Sequence, residues 1–286
     1  MKGTVRVGIG GWIFAPWRKS FYPKNLSQSR ELEYASRQLT SIEINGTYYR
    51  TQKAESFARW YEETPENFVF ALKGPRFATN RRNLAEAEAS IERFFKSGVM
   101  NLKEKLGPIN WQFLPTKHFD VEDFEAFLKL LPKTVEGHEV RHALEVRHDS
   151  FRTAEFVACL RKYEAGAVFT DKDQFVQIPD ITSSFVYARL QRASKEEEYG
   201  YPDDALDVWS QRALTWSQGK IPKGLEAVTS PWETPPRDVF IYFINGFKPK
   251  APAARPLSFS QRHAVAARRN QTESEWAWQT SFCSPP

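Results

Sequence analysis

His142-Ala143-Leu144-Glu145-Val146-Arg147-His148 alternates apolar and polar side chains at a spacing of two. In an extended chain that spacing puts Glu145 and Arg147 on one face, roughly 6.5–7 Å apart, with Leu144 and Val146 on the other. Ser41-Ile42-Glu43-Ile44-Asn45 repeats the pattern and aligns Glu43 with Asn45. Strands buried on both faces ordinarily read as near-continuous Val, Ile and Leu. An ionised group among them is costly unless it is paired or hydrogen-bonded. Two strands that each carry a carboxylate therefore predict a polar site at the end of a sheet.

Six further strand-like runs accompany these two, so that strands are expected near 5–10, 41–46, 68–73, 109–113, 142–147, 166–170, 185–190 and 239–245. Helical patterns fall between most of them, at 30–39, 54–63, 84–95, 121–131, 153–164 and from Asp203 onward. Asp120 is a natural N-cap for the stripe Val121, Phe124, Phe127, Leu128, and Gly98 a natural stop for the helix ending at Phe95. Eight strands alternating with mostly helical connections predict an α/β chain folded as a single (β/α)8 TIM barrel. The first part of the connection before the second strand, and the short connection between the sixth and seventh, lack a helical pattern, which keeps a doubly wound open sheet as the alternative. Gly8 and Gly10 are spaced as in a dinucleotide loop, but Ile13 stands at the third glycine position and Phe14-Ala15-Pro16-Trp17 is no helix start. A nucleotide cofactor is not expected there.

The barrel domain is assigned to residues 1–247 and an irregular, basic C-terminal extension to 248–286. Lys248-Pro249-Lys250-Ala251-Pro252 and Arg255-Pro256 cannot form regular structure, and 258–270 is expected to supply a last helix. Of the formal net charge of +5, most sits in this extension, with six Lys or Arg against two Glu from Lys248 onward. The basic balance is thus weak support for a nucleic-acid-binding body. Cys159 and Cys283 form no metal or redox spacing, and Cys159 lies in an apolar helical pattern that reads as a buried thiol. No stretch approaches the ~20 apolar residues of a membrane span, and the N-terminus lacks the apolar core of a secretory signal. A cytoplasmic setting without membrane contact is the expectation.

Several of these stretches together resemble the YecE-like family of domains of unknown function. They are Gly8-Ile9-Gly10-Gly11-Trp12 with Trp17 and Phe21-Tyr22-Pro23, Ile42-Glu43-Ile44-Asn45-Gly46-Thr47-Tyr48-Tyr49, Phe68-Val69-Phe70-Ala71-Leu72-Lys73, Gln112-Phe113-Leu114-Pro115, Glu145-Val146-Arg147-His148, Tyr187-Ala188-Arg189-Leu190 and Tyr242-Phe243-Ile244-Asn245. The resemblance runs from about residue 3 to 247 in order. It implies a TIM barrel and supplies no reaction. The chain departs from the family pattern at three places: Phe77-Ala78-Thr79-Asn80 stands where many members carry Thr-His, Gly246-Phe247-Lys248-Pro249 where a Gly-rich segment is usual, and Arg192-Ala193 where a glycine is usual.

In such a barrel the site lies at the C-terminal ends of the strands. Glu43 and Glu145 are the candidate general acid and base, their roles requiring environments that separate their pKa values. Candidate substrate contacts are Asn45, Lys73, Gln112, Arg147, His148, Asp171, Arg189 and Asn245, with Trp12 and Tyr48 as a pocket floor. Cationic side chains among neutral donors suit a small anionic partner that bears a phosphate or carboxylate, a sugar derivative among the candidates. No metal or other cofactor is expected. The metal alternative, an isomerase- or phosphodiesterase-like barrel, would use Glu43, Glu145, His148 and Asp171. The non-enzymatic alternative is a binding protein, for nucleic acid through the basic extension. Oligomeric state is not legible.

Overall fold

The computed structural model describes residues 3–230 and 235–254. Eight parallel strands close into a barrel: β1 (Val5–Gly10), β2 (Ser41–Ile44), β3 (Val69–Lys73), β4 (Leu106–Gln112), β5 (His142–Glu145), β6 (Gly166–Thr170), β7 (Phe185–Leu190) and β8 (Asp238–Phe243). Each strand pairs with its neighbours in sequence, and β8 returns to β1 with Val5 opposite Val239. An open sheet is thereby excluded.

Two separate apolar clusters follow from the strand period of two. One, including Val69, Ala71, Ala143, Val168, Phe185, Tyr187, Phe240 and Tyr242, fills the inside of the barrel. The larger one joins the alternate strand residues to the surrounding helices. Those helices are α1 (Glu31–Gln38), α2 (Ala54–Glu62), α3 (Glu88–Phe95), α4 (Val121–Leu130), α5 (Ala154–Tyr163) and α6 (Asp203–Ser217). Asp120 caps α4 by accepting from the Asp123 amide, and Thr153 caps α5 by accepting from the Phe156 amide. The connection from β6 to β7 contains no helix, and β1 reaches α1 through two short 3-10 turns. No helix among the described residues is long and apolar enough to cross a membrane.

Three features depart from the sequence expectation. β4 begins at Leu106, three residues early, across Gly107-Pro108. A Cβ on Gly107 would lie 2.6 Å from the Val69 side chain, so glycine lets this strand approach β3, and the register shifts between Phe70 and Leu72. A two-residue ribbon, Thr134–Val135 against His138–Glu139, turns through Glu136 and Gly137, both with left-handed φ. Its strands are too short to leave a periodic signal. The start of the extension is docked on the barrel: Ala251 and Ala254 are buried, and the Trp17 indole donates to the Lys248 carbonyl at 3.0 Å. The helix expected at 258–270 lies outside the described residues.

The polar group at the start of β5 is structural. His142 is buried; its Nδ1 accepts from the Trp111 indole at 3.1 Å, and its Nε2 donates to the Pro132 carbonyl at 2.8 Å. Burial lowers the imidazole to about 4 despite that carbonyl. The folded pKa lies below the unfolded one, so this neutral histidine contributes stability above about 6.5 that is lost as pH falls toward 4. His142→Gln can keep both hydrogen bonds without titrating. Its unfolding midpoint in urea should therefore change less between pH 7 and 5 than that of the wild type, and an equal change in the two proteins would remove His142 from the acid response.

Candidate functional site

Inside the mouth, the same parity that fills the lower barrel with apolar side chains delivers Glu43, Lys73, Asn110, Gln112, Glu145 and Arg189, all buried. Arg189 is the hub. Its Nε and Nη2 donate to Glu43 at 2.9 and 3.0 Å, and its Nη1 donates to Glu145 at 2.7 Å. Glu43 also accepts from the Tyr187 hydroxyl at 2.6 Å. Glu145 also accepts from the Asn110 amide at 3.0 Å and from Nη2 of Arg147 at 2.6 Å. Arg147 itself lies over the Phe175 ring, 4.4 Å from its centroid. Every carboxylate oxygen in this network is taken.

Electrostatics then separates the groups. Burial alone would push the Glu145 carboxyl up, but Arg189, Arg147 and Lys73 with the Asn110 amide overcome it and hold the group at about 2. Arg189 is raised above its ordinary value, the two glutamates outweighing its burial. Burial, and then the Glu43 charge, push the Tyr187 phenol well up. Lys73 behaves in the opposite way. Burial and the repulsion of Arg189 lower its ammonium from 10.5 to about 8, against the pull of Glu145 and Glu43. It donates to the Gln112 carbonyl oxygen, lies 4.4 Å from the Tyr48 ring centroid, and forms no ion pair among the described residues. Tyr48 sits on a single helical turn, Gly46–Tyr49, that Thr47 ties to β3 by donating to the Lys73 carbonyl at 2.7 Å.

The remaining sequence candidates lie elsewhere. Asn45, Trp12 and Asn245 line a cleft of about 840 Å³ at the ends of β1, β2 and β8. β8 ends at Phe243, so Ile244 packs against the inner cluster and Asn245 is exposed. His148 accepts from the Ser150 amide at 3.1 Å and packs against His118, with ring centroids 3.8 Å apart and the rings tilted by 41°. Asp171 accepts from the Gln191 amide at 2.6 Å and the Tyr201 hydroxyl at 2.9 Å, which ties the end of β6 to β7. Burial raises its carboxyl, and those two hydrogen bonds offset part of the rise. The donors named for the metal alternative thus do not converge: two are taken by arginines and two serve other contacts. No group of three or more His, Cys, Asp or Glu side chains among the described residues could hold a metal. Tyr187 and Asn110 escaped the sequence reading, although each stands two residues before a candidate, Arg189 and Gln112, and so shares its face. The Arg192-Ala193 departure also has an account. Ala193 bridges to Gly246, where a Cβ would lie 2.2 Å from the Ala193 carbonyl oxygen, so the glycine that this contact needs stands on the other partner.

A closed parallel barrel with its ionisable groups gathered at the C-terminal mouth defines a TIM-barrel protein. The chain belongs to the family described as protein of unknown function DUF72, whose model matches residues 6–272. It is 26% identical over 116 residues to the UPF0759 protein YunF of Bacillus subtilis, covering 39% of this chain and 40% of that one. It is 27% identical over 150 residues to the UPF0759 protein YecE of Escherichia coli K12, covering 51% and 50%. The chain thus spans about half the length or less of the curated relatives it matches. A solved DUF72 family protein of Thermotoga maritima superposes with a TM-score of 0.68 at 21% identity, covering 91% of this chain and 99% of that one. That likeness establishes the fold.

Removing one member of a buried ion network leaves its partner uncompensated, at a cost of about 3–5 kcal/mol. Glu145→Gln should destabilise the protein by that order in urea unfolding at pH 7. The Glu145 pKa is depressed, so its contribution is present above about 4.5 and is lost as pH falls toward 2. The variant should show a correspondingly flatter acid limb below pH 4.5. A loss under 1 kcal/mol at pH 7 would mean that the arginines find other partners.

Proposed function

We propose that this barrel is an enzyme acting on a small oxygen-rich anion, with Lys73 as the proton-transfer group and Arg147 beside it as the anion contact. The observation that carries the reading is the imbalance of charge at the mouth. Lys73, Arg147 and Arg189 face two carboxylates whose oxygens are all occupied, and Lys73 has no carboxylate in contact among the described residues. An anion is the ligand that relieves this surplus.

The division of labour differs from the one expected from sequence. Glu145, held at about 2, stays ionised at neutral pH and has no proton to give. Glu43, sealed beneath Arg189 and Tyr187, has no open oxygen. Both glutamates act in this reading as the anchors of Arg189. Lys73, at about 8, can take up or release a proton near neutrality, as a general acid or base must. Gln112 holds the amine in place, and the pair lies at the ends of adjacent strands, β3 and β4.

Inorganic phosphate, sulfate and acetate should raise the unfolding temperature of the wild type, with about 2.7 kcal/mol of stabilisation at a hundredfold excess over Kd. The effect should weaken as pH rises through about 8, where Lys73 sheds its proton. Lys73→Met and Arg147→Met should each abolish the response. Lys73→Met should fold normally, because a buried ammonium with a lowered pKa costs stability at neutral pH. Anion-induced stabilisation that persists in both variants would refute the assignment.

A further inference from the structure

The cleft of about 840 Å³ beside the network has the size of a small-molecule site, and its lining has a chemistry of its own. We propose that it binds the polyhydroxylated portion of a sugar that bears an anionic group, a sugar acid or sugar phosphate. That its anionic end reaches Lys73 and Arg147 rests on the function proposed above; that the cleft takes a polyol does not.

Four side-chain amides face the cleft: Gln28, Asn45, Gln52 and Asn245. Each carries both donors and acceptors, which is the property of a hydroxyl group and the reason amides read polyols. Their present bonds leave that capacity largely free. Asn45 donates to the Glu43 carbonyl and Gln52 to the Arg50 carbonyl, each at a long 3.4 Å, and the Asn245 side chain makes no hydrogen bond among the described residues. Half-buried Trp12 supplies an apolar wall for sugar C–H groups and is braced edge-on by Trp60 at 5.2 Å. Gly10 keeps that arrangement open, since a Cβ there would lie 3.0 Å from the Asn45 amide nitrogen.

The cleft and the Lys73 centre share a wall. On the turn Gly46–Tyr49, Tyr48 lies against Lys73, while Gly46 and Tyr49 line the cleft, and the two tyrosine rings meet edge to face at 5.1 Å. A ligand that crosses this pair of rings places its polyol in the cleft and its charged end at the lysine. Three cations also line the cleft: Arg59 is set against Glu63 at 3.7 Å, Lys248 lies over the Phe14 and Trp17 rings at 4.9 and 5.3 Å, and Arg50 stands exposed at the cleft's rim.

Calorimetric titration of the full chain with gluconate, glucuronate, glucose 6-phosphate, glucose, acetate and inorganic phosphate tests this. At least one sugar anion should bind more tightly than both glucose and its bare anion, and the preferred one tells carboxylate from phosphate. The double substitution Gln52→Ala with Asn245→Ala removes two cleft amides and should weaken that sugar anion about tenfold, leaving bare anions unchanged. A double variant that binds sugar anions like the wild type, or a wild type that prefers bare anions, would overturn the polyol site. If the double variant loses the sugar anion but Lys73→Met changes no affinity, the cleft site stands and the role of Lys73 falls.

Discussion

The guanidinium of Arg189 spans the barrel interior from Glu43 on β2 to Glu145 on β5, and the mouth is organised by that span. A planar fork with several fixed donors can satisfy two carboxylates at once, which a lysine ammonium in the same place could not do with the same geometry. The consequence is chemical as well as structural. Two carboxylates share one guanidinium, and the charge of that guanidinium adds to burial in lowering the Lys73 pKa. The residue that bridges β2 and β5 is thus also one that, after burial, shifts Lys73.

That coupling works because the interior is layered. Below the network the strands contribute Val69, Phe185, Phe240 and the Tyr187–Tyr242 pair, a region with no water-like dielectric to screen the charges above it. Ser41 donates to the Val69 carbonyl and shares a hydrogen bond with the Tyr242 hydroxyl, so that the few polar atoms at this level are also engaged. Charges in the upper layer therefore act on one another strongly, and a change at any of them is felt by the rest.

Most of this was legible before the structure because two periods are simple. The spacing of two fixed which of Glu145, Val146 and Arg147 share a face, and the eightfold alternation of strands and helices marked the barrel. Which groups meet across the ring was not legible. Glu43 and Arg189 are 146 residues apart, and their contact depends on strand stagger that no local pattern records. The glutamates' part in the network was hidden for the same reason: a carboxylate reads alike whether it is poised to titrate or locked between arginines. Asp171 and Asn245 were placed at the mouth by position along a strand, whereas side-chain direction at a strand end decides what each one meets. The ribbon at Thr134–Glu139 was invisible because two-residue strands have no period.

That ribbon lies between α4 and β5, at the barrel end opposite the mouth. Its turn residues adopt left-handed φ, and Gly137 has open space around it, with nothing within 4 Å of a Cβ built there. Exposed, locally closed turns of this kind tolerate added chain, because the segment enters and leaves at neighbouring points. The protein therefore has a natural grafting point on its far side. A fluorophore, an affinity tag or a whole reporter domain introduced between Glu136 and Gly137 would leave the strands in register and the mouth unobstructed.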